Sequence, residues 1–540
     1  MAWNYGDILD TVARVAPGDR PALIWGEERV TWSEFDRRTN NLARRMIADG
    51  LAPGDKVAIL CRNHPAYIEA MTAALKSRTV NVNINYRYTA DEIAYVMDDS
   101  DAAALFYQDT LEAVVPELKV RLPEVRYWIR IESDRAPVAA GSGLSFESWA
   151  RTGDGAPLDI QRSPDDAFLL YTGGTTGRPK GVLWRFDDAR RVQLESPLVA
   201  KAPRDLADHA AMVAGNPAPS CTIPACPLMH GAGSNAVIGE LMAGGTAVIL
   251  RGDRFDPVDL WREVERNQVT RIAIVGDVFA RPMLRALEAE PGRFDASSLK
   301  VISSAGLIWS AEVKAGLLKH LPQVTLVDIL GASEASGFGY SVAGAGVPVM
   351  PTGVFTPAAK TVLIDPDTGQ IIRPGQPGEG LLARSEPIAA GYYKDEKKTA
   401  ESYRILDGVR YAAPGDFARF DAGGRLMLIG RGNLSINTGG EKVFPEEVEE
   451  ALKLQPGVED ALVVGEPDPV WGKAIVAVIK STREFDEARV REGLLKTLAG
   501  YKLPRRYLHV EEVPRHESGK SDYRRAQELV SASAKITLEI

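Results

Sequence analysis

The sequence predicts an α/β protein. A large N-terminal domain of two doubly wound subdomains and a small antiparallel β unit precedes a small α+β C-terminal domain. Three observations carry this prediction. Apolar runs of strand length alternate with helix-length amphipathic segments through residues 56–107 and again through 246–330, as in parallel sheets built from crossover units. From 349 to 429 the texture changes to short apolar runs between Pro-Asp-Thr-Gly, Pro-Gly-Gln-Pro-Gly and Asp-Ala-Gly-Gly turns, which read as hairpins. The length of 540 residues exceeds what one core usually supports.

The chain opens with an amphipathic helix over 6–16 and a strand over 22–25. Thr31 and Glu34 have capping-box spacing, so a helix with Phe35, Leu42 and Met46 inward follows. Residues 56–61, 80–84 and 102–107 read as strands, and 65–76 and 90–98 as helices. The second set has strands at 246–250, 271–275, 300–303 and 325–330, with helices at 234–243, 257–267, 278–288 and 310–320. Past 433 come a helix at 445–453, strands at 460–465 and 474–480, a helix at 486–498 and a strand at 507–510. No low-complexity linker precedes this segment, so a short hinge is placed near Asn433, dividing the chain into domains 1–432 and 433–540.

Composition narrows function. A net charge of −9 argues against a general nucleic-acid binder. Cys61, Cys221 and Cys226 form neither a disulfide framework nor a metal spacing, and as buried thiols they fit a reducing, cytoplasmic setting. The first residues carry no signal-peptide pattern, and no apolar run approaches the 18 residues of a membrane span.

The chemistry concentrates in one stretch, Tyr171-Thr-Gly-Gly-Thr-Thr-Gly-Arg-Pro-Lys-Gly-Val182, entered from an apolar run at 167–171. Gly173, Gly174 and Gly177 let backbone N–H groups crowd an anion. Thr172, Thr175 and Thr176 add hydroxyls and Lys180 a positive charge, a set suited to a polyphosphate. A Gly-rich turn between strands is the plainer reading of the glycines alone; the threonines and the lysine shift the balance to phosphate. It is not the standard P-loop, because Arg178 and Pro179 separate Gly177 from Lys180 and residues 182–184 read as a strand, not a helix. The stretch resembles the signature loop of the adenylate-forming superfamily, which includes acyl-CoA synthetases, luciferases and nonribosomal-peptide adenylation domains.

Further motifs follow in the superfamily's order. Gly331-Ala332-Ser333-Glu334 comes after the strand at 325–330, where open α/β sheets bind ligands. It is similar to a Tyr-Gly-x-Thr-Glu motif, with Leu330 for the tyrosine and Ser333 for the threonine. The resemblance implies Mg²⁺ on Glu334 and Thr176, and an aliphatic side chain in place of the aromatic over adenine. It also places Ala305, Gly306, Asp328, Leu330, Gly331, Ala332 and Ser333 around the nucleotide. Asp416 matches a carboxylate that accepts from the ribose hydroxyls, and Arg431 a contact to ribose or α-phosphate. Asn433 aligns with the hinge, and residues 434–449 look like the motif opening an acyl-CoA synthetase's C-terminal domain. Gly439 and Gly440 would then let pantetheine pass, with Trp471 lining the CoA path. Lys520 matches the catalytic lysine that bridges the substrate carboxylate and the α-phosphate, and His230 the gate between acyl pocket and CoA tunnel. Between Lys502 and Arg525, seven basic residues outnumber four acids, a stretch read either as facing the CoA phosphates or as a solvated face.

Singly, these residues have bland readings: a loop glutamate, a turn aspartate, an exposed lysine. Their order along one chain favours an AMP-forming acyl-CoA synthetase using ATP, Mg²⁺ and CoA. The expected substrate is a large hydrophobic carboxylic acid, long-chain or steroid side-chain, because residues 275–282 and 437–442 look most like synthetases for such acids. An adenylate-only ligase, or a CoA ligase for an aryl or short-chain acid, is the alternative. A peptide-synthetase domain would carry an aspartate near 227–231, where this chain has His230. Neither nucleic acid nor a transmembrane segment is expected, and a homodimer is left open.

Overall fold

The computed structural model describes all residues except 1, 135–143, 174–177, 197–198, 200, 308, 345, 367, 432–435, 444, 515–521 and 539–540. The chain forms two compact units. One comprises residues 1–86, 97–171 and 181–429; the other comprises 87–96, 172–180 and 430–540.

Two sheets organise the first unit. In the eight-stranded sheet, strands Ala167–Gly173, Val80–Asn83, Lys56–Leu60, Ala102–Gln108, Tyr127–Ile131 and Leu144–Ser145 lie side by side and parallel. Lys56–Leu60 is central, with Val57, Ala58 and Ile59 fully buried, as expected for a strand covered on both faces. The second sheet has a parallel core of Pro21–Trp25, Thr246–Val248, Cys221–Pro224, Arg271–Ile274, Val301–Ala305 and Thr325–Leu330. The expected hairpins between 349 and 429 are present, as antiparallel strands such as Thr361–Ile364, Glu379–Ser385 and Asp416–Phe420. They are not freestanding. Gly339–Ala343 pairs antiparallel with Thr325–Leu330, Val354–Pro357 pairs with Gly339–Ala343, and Leu426–Arg431 continues the sheet. Gly339 permits the join, since a Cβ there would lie 2.9 Å from the Thr356 carbonyl oxygen and 3.1 Å from Phe355.

Local signals in the chain set the helix ends. Asn4 caps Tyr5–Val15 through its side-chain oxygen, which accepts from the Gly6 amide at 2.8 Å. The Thr31 hydroxyl accepts from the Glu34 amide at 3.2 Å and starts Trp32–Ala48. Pro65–Ser77 is buried on every side, so its charges are paired. The Arg38 guanidinium forks onto Glu69 and Glu147, with contacts of 2.8–3.0 Å. Helices Phe186–Leu194 and Leu206–Ala214 and strand Cys221–Pro224 fill a stretch for which the sequence reading assigned no elements.

In the second unit, strands Glu441–Val443, Ile436–Thr438, Gly472–Ser481 and Val458–Asp468 form one sheet, with Arg506–His509 parallel to Gly472–Ser481. Period-two alternation gives it two apolar faces. Ala461, Val463, Ile475, Ala477 and Ile479 join the core containing Val448 and Val490, while Leu462, Val464, Val476 and Val478 pack with Ala526 and Val530. The latter two lie on Tyr523–Leu538, a helix absent from the sequence reading. Among the described residues, no helix is long and apolar enough to cross a membrane. All three cysteines are free and buried. Burial pushes the Cys221 and Cys226 thiols up to about 12, which keeps them protonated and poorly nucleophilic.

Candidate active site

In the first unit, the carboxyl ends of Val301–Ala305 and Thr325–Leu330 lie side by side, with Ala305 in register with Ile329. Ala305, Gly306 and the segment 330–334 therefore converge at one end of a parallel sheet, where the strands' outward peptide ends leave room for a ligand. Gly306 adopts φ +94°, a backbone position costly for residues with a side chain. Leu330 is half-buried and packs against the core. Asp328 is the buried residue of this strand end. Its carboxylate is buried and lies 2.6 Å from the Lys314 ammonium. Burial pushes its pKa up, and Lys314 opposes that shift.

The loop carrying Glu334 is held from several directions. Trp184 Nε1 donates to the Ser333 carbonyl at 2.7 Å. The buried Arg384 donates to the Gly337 carbonyl at 2.6 Å. The Tyr392 hydroxyl donates to Glu334 Oε1, and the Ala389 amide donates to the Glu334 carbonyl at 3.1 Å. Asp416 is half-buried at the start of Asp416–Phe420, directly after Gly415 at φ +106°.

Asn83 was not singled out from the sequence. Its buried side-chain amide donates to the carbonyls of Tyr171 at 3.0 Å and Met229 at 2.8 Å, and its oxygen accepts from the Tyr171 amide at 2.7 Å. It thereby ties the strand leading into the threonine-rich loop to the residue before His230. His230 is half-buried at the N-terminus of Gly231–Met242 and is not a core histidine. A polar residue inside an apolar strand was the available signal for Asn83.

The second unit holds Thr172, Gly173 and Lys180 at the strand ends flanking the loop. Lys180 belongs to the return strand Pro179–Arg185, so the loop joins two strands. Gly174, Thr175, Thr176 and Gly177 lie outside the described residues, as do Asn433 and Lys520. Arg431 ends strand Leu426–Arg431. Gly439 and Gly440 form the two-residue turn between Ile436–Thr438 and Glu441–Val443, with φ +57° and +88°. Paired positive φ values are the hairpin geometry that favours glycine. The Trp471 carbonyl accepts from the Gly439 amide at 2.9 Å, and a Cβ on Gly439 would meet the Trp471 ring at 2.7 Å. The Arg505 guanidinium lies 4.1 Å from the centre of that ring. The basic stretch after 502 is less available than its composition suggests. Lys502 is buried against Glu92, Arg506 pairs with Glu466 and Arg525 with Glu528.

The donor set fits Mg²⁺. That ion is commonly bound through one or two carboxylates plus substrate phosphates, not a closed protein cage. Among the described residues, no group of three or more His, Cys, Asp or Glu could hold a metal. Glu334 offers a carboxylate with one oxygen already fixed by Tyr392, and the buried Tyr403 hydroxyl has no hydrogen-bond partner among the described residues.

Two family profiles match this chain in sequence. AMP-binding enzyme covers residues 9–393, and AMP-binding enzyme C-terminal domain covers 447–520. The chain belongs to the AMP-binding enzyme family. A family relative from Mycobacterium marinum, a medium/long-chain-fatty-acid–CoA/3-oxocholest-4-en-26-oate–CoA ligase, is 38% identical, covering 98% of this chain and 97% of that protein. A 3-oxocholest-4-en-26-oate–CoA ligase from Rhodococcus rhodochrous is 37% identical, over 98% and 96%. The fold is shared with the amide bond synthetase McbA from Marinactinospora thermotolerans, at a TM-score of 0.77 and 23% identity over 98% and 99% of the two chains. These findings agree with the expected adenylate-forming fold and family.

Proposed function

We propose that this AMP-binding enzyme joins a large hydrophobic carboxylic acid to CoA, a fatty acid or a steroid side-chain acid, using ATP and releasing AMP and pyrophosphate. The observation that carries the reading is end-to-end identity of 37–38% with CoA ligases for such acids. The substrate carboxylate attacks the α-phosphorus of ATP and expels pyrophosphate; the CoA thiol then attacks the acyl carbon and expels AMP. Glycines and threonines of 172–177, with Lys180, bind the phosphates. Ala305, Gly306, Asp328 and Leu330–Ser333 surround the nucleotide, Asp416 accepts from the ribose hydroxyls, Arg431 contacts the ribose or the α-phosphate, and Lys520 neutralises charge where the carboxylate meets the α-phosphate. Mg²⁺, held by Glu334 with Thr176, would supply further neutralisation of the phosphates. His230 gates the acyl pocket, which is lined by segments near 276–281 and 305–307. Gly439, Gly440 and Trp471 line the CoA path, and Asn433 is the pivot between domains 1–432 and 433–540. Its three buried thiols suit a cytoplasmic location.

A panel of carboxylic acids with ATP and CoA, followed for AMP, pyrophosphate and thioester, tests this. Acids with long apolar bodies are expected to turn over best. ADP as product would overturn the reaction, and AMP release indifferent to CoA would favour an adenylate-only ligase.

The turn at 439–440 gives a separable expectation. Gly439→Ala puts a Cβ into the Trp471 ring and forces alanine to a left-handed φ, a cost of about 1–2 kcal/mol. Thioester formation is expected to fall about tenfold, the rate equivalent of about 1.4 kcal/mol. Pyrophosphate release from ATP and acid should hold steady when measured without CoA.

A further inference from the structure

The geometry points to Tyr392 as a positioning residue that fixes the Glu334 carboxylate for the divalent cation accompanying ATP. The inference rests on the reading of Glu334 as the metal-facing carboxylate. Tyr392 belongs to a short strand, Gly391–Tyr392, paired antiparallel with Pro179–Arg185, with Tyr392 opposite Val182. Backbone bonds extend this pairing on both sides. The Ala390 amide donates to the Leu183 carbonyl and the Tyr393 amide to the Gly181 carbonyl, each at 2.8 Å. One segment is thus fastened to the strand returning from the threonine-rich loop and, through the Ala389 amide and the Tyr392 hydroxyl, to Glu334.

The environment makes Tyr392 a fixed donor. A tyrosine hydroxyl carries its proton at neutral pH, and this one is held against Glu334 Oε1. The Tyr403 ring packs edge-on at 6.2 Å, and Arg410 lies 4.3 Å from the Tyr403 ring centre while donating to the carbonyls of Ala389 at 3.0 Å and Ala390 at 2.6 Å. With Oε1 committed to Tyr392, the carboxylate's orientation is biased and Oε2 is left for a cation. Hydrogen bonds of this outer kind orient metal ligands, and losing one typically weakens metal affinity or activity about 10- to 100-fold.

The test compares Tyr392→Phe with wild type and with Tyr393→Phe, whose hydroxyl instead reaches Asp101 at 2.8 Å. Mn²⁺ binding in the presence of α,β-methylene ATP is read by electron paramagnetic resonance, and the Mg²⁺ dependence of pyrophosphate release is read separately. Tyr392→Phe should bind Mn²⁺ about tenfold or more weakly and need correspondingly more Mg²⁺ for half-maximal rate. At saturating Mg²⁺ its rate should largely recover, and Tyr393→Phe should match wild type. A purely structural loss would not be repaired by metal. Unchanged Mn²⁺ binding in Tyr392→Phe overturns the inference. So does wild-type Mn²⁺ binding in Glu334→Gln, a measurement that stands if Tyr392→Phe does not fold. Wild type that releases no pyrophosphate with any acid would instead reject the functional reading itself.

Discussion

Lys520→Ala is expected to slow acyl-adenylate formation by about 10²–10³, the scale of removing one preorganised charge-stabilising donor. The argument is electrostatic. As pyrophosphate departs, negative charge redistributes over the α-phosphate and the attacking carboxylate, and a single ammonium group between them is worth most when those charges are closest. Lys520 lies in Ser518-Gly519-Lys520 and closes the region matched by the C-terminal family profile. Transfer to CoA makes no such demand, so thioester formation from supplied acyl-adenylate should stay near wild type. Rapid-quench measurement of the two half-reactions separates them. An equal loss in both would reject a lysine dedicated to the first step.

Lys314→Met is expected to be among the most destabilising substitutions near the site. Lys314 and Asp328 are both almost fully buried and 2.6 Å apart, and the Lys314 ammonium lies 5.3 Å from the centre of the Trp309 ring. Removing one member of a buried pair strands the other charge, at a cost of about 3–5 kcal/mol. Burial already pushes Asp328 up, and Lys314 is the group that opposes that shift. A carboxyl whose folded pKa exceeds its unfolded value holds more protons when folded, so its stabilising contribution falls as pH rises. The variant's deficit should therefore be smaller at pH 5 than at pH 8 in denaturant titrations. Adding Asp328→Leu should restore much of the loss, because an apolar pair can replace a buried ion pair at little cost. A single variant within about 1 kcal/mol of wild type would contradict a desolvated pair.

Much of the architecture was legible because local chemistry encodes it. The Thr31 cap and the alternation of strands and helices each depend on residues within a few positions of one another. What escaped depends on distant partners. The buried pairing of Asp328 with Lys314, 14 positions apart, has no local signal in the sequence. Lys502 reads as a surface cation until Glu92, far away in sequence, buries it. Tyr392 sits in a motif-poor stretch, and its bond to Glu334 spans 58 positions. Hydrophobic period and turn residues report which backbone shape a segment adopts, but not which buried polar groups complete one another.

The continuity of the large sheet bears on how this protein can be dissected. A fragment ending near residue 348 would bare the edge of Gly339–Ala343, whose neighbour Val354–Pro357 would be missing. An uncapped row of amides and carbonyls invites edge-to-edge aggregation. Soluble expression should therefore require the segment through the 426–431 strand, and truncations intended to isolate the nucleotide-facing half should be cut beyond it.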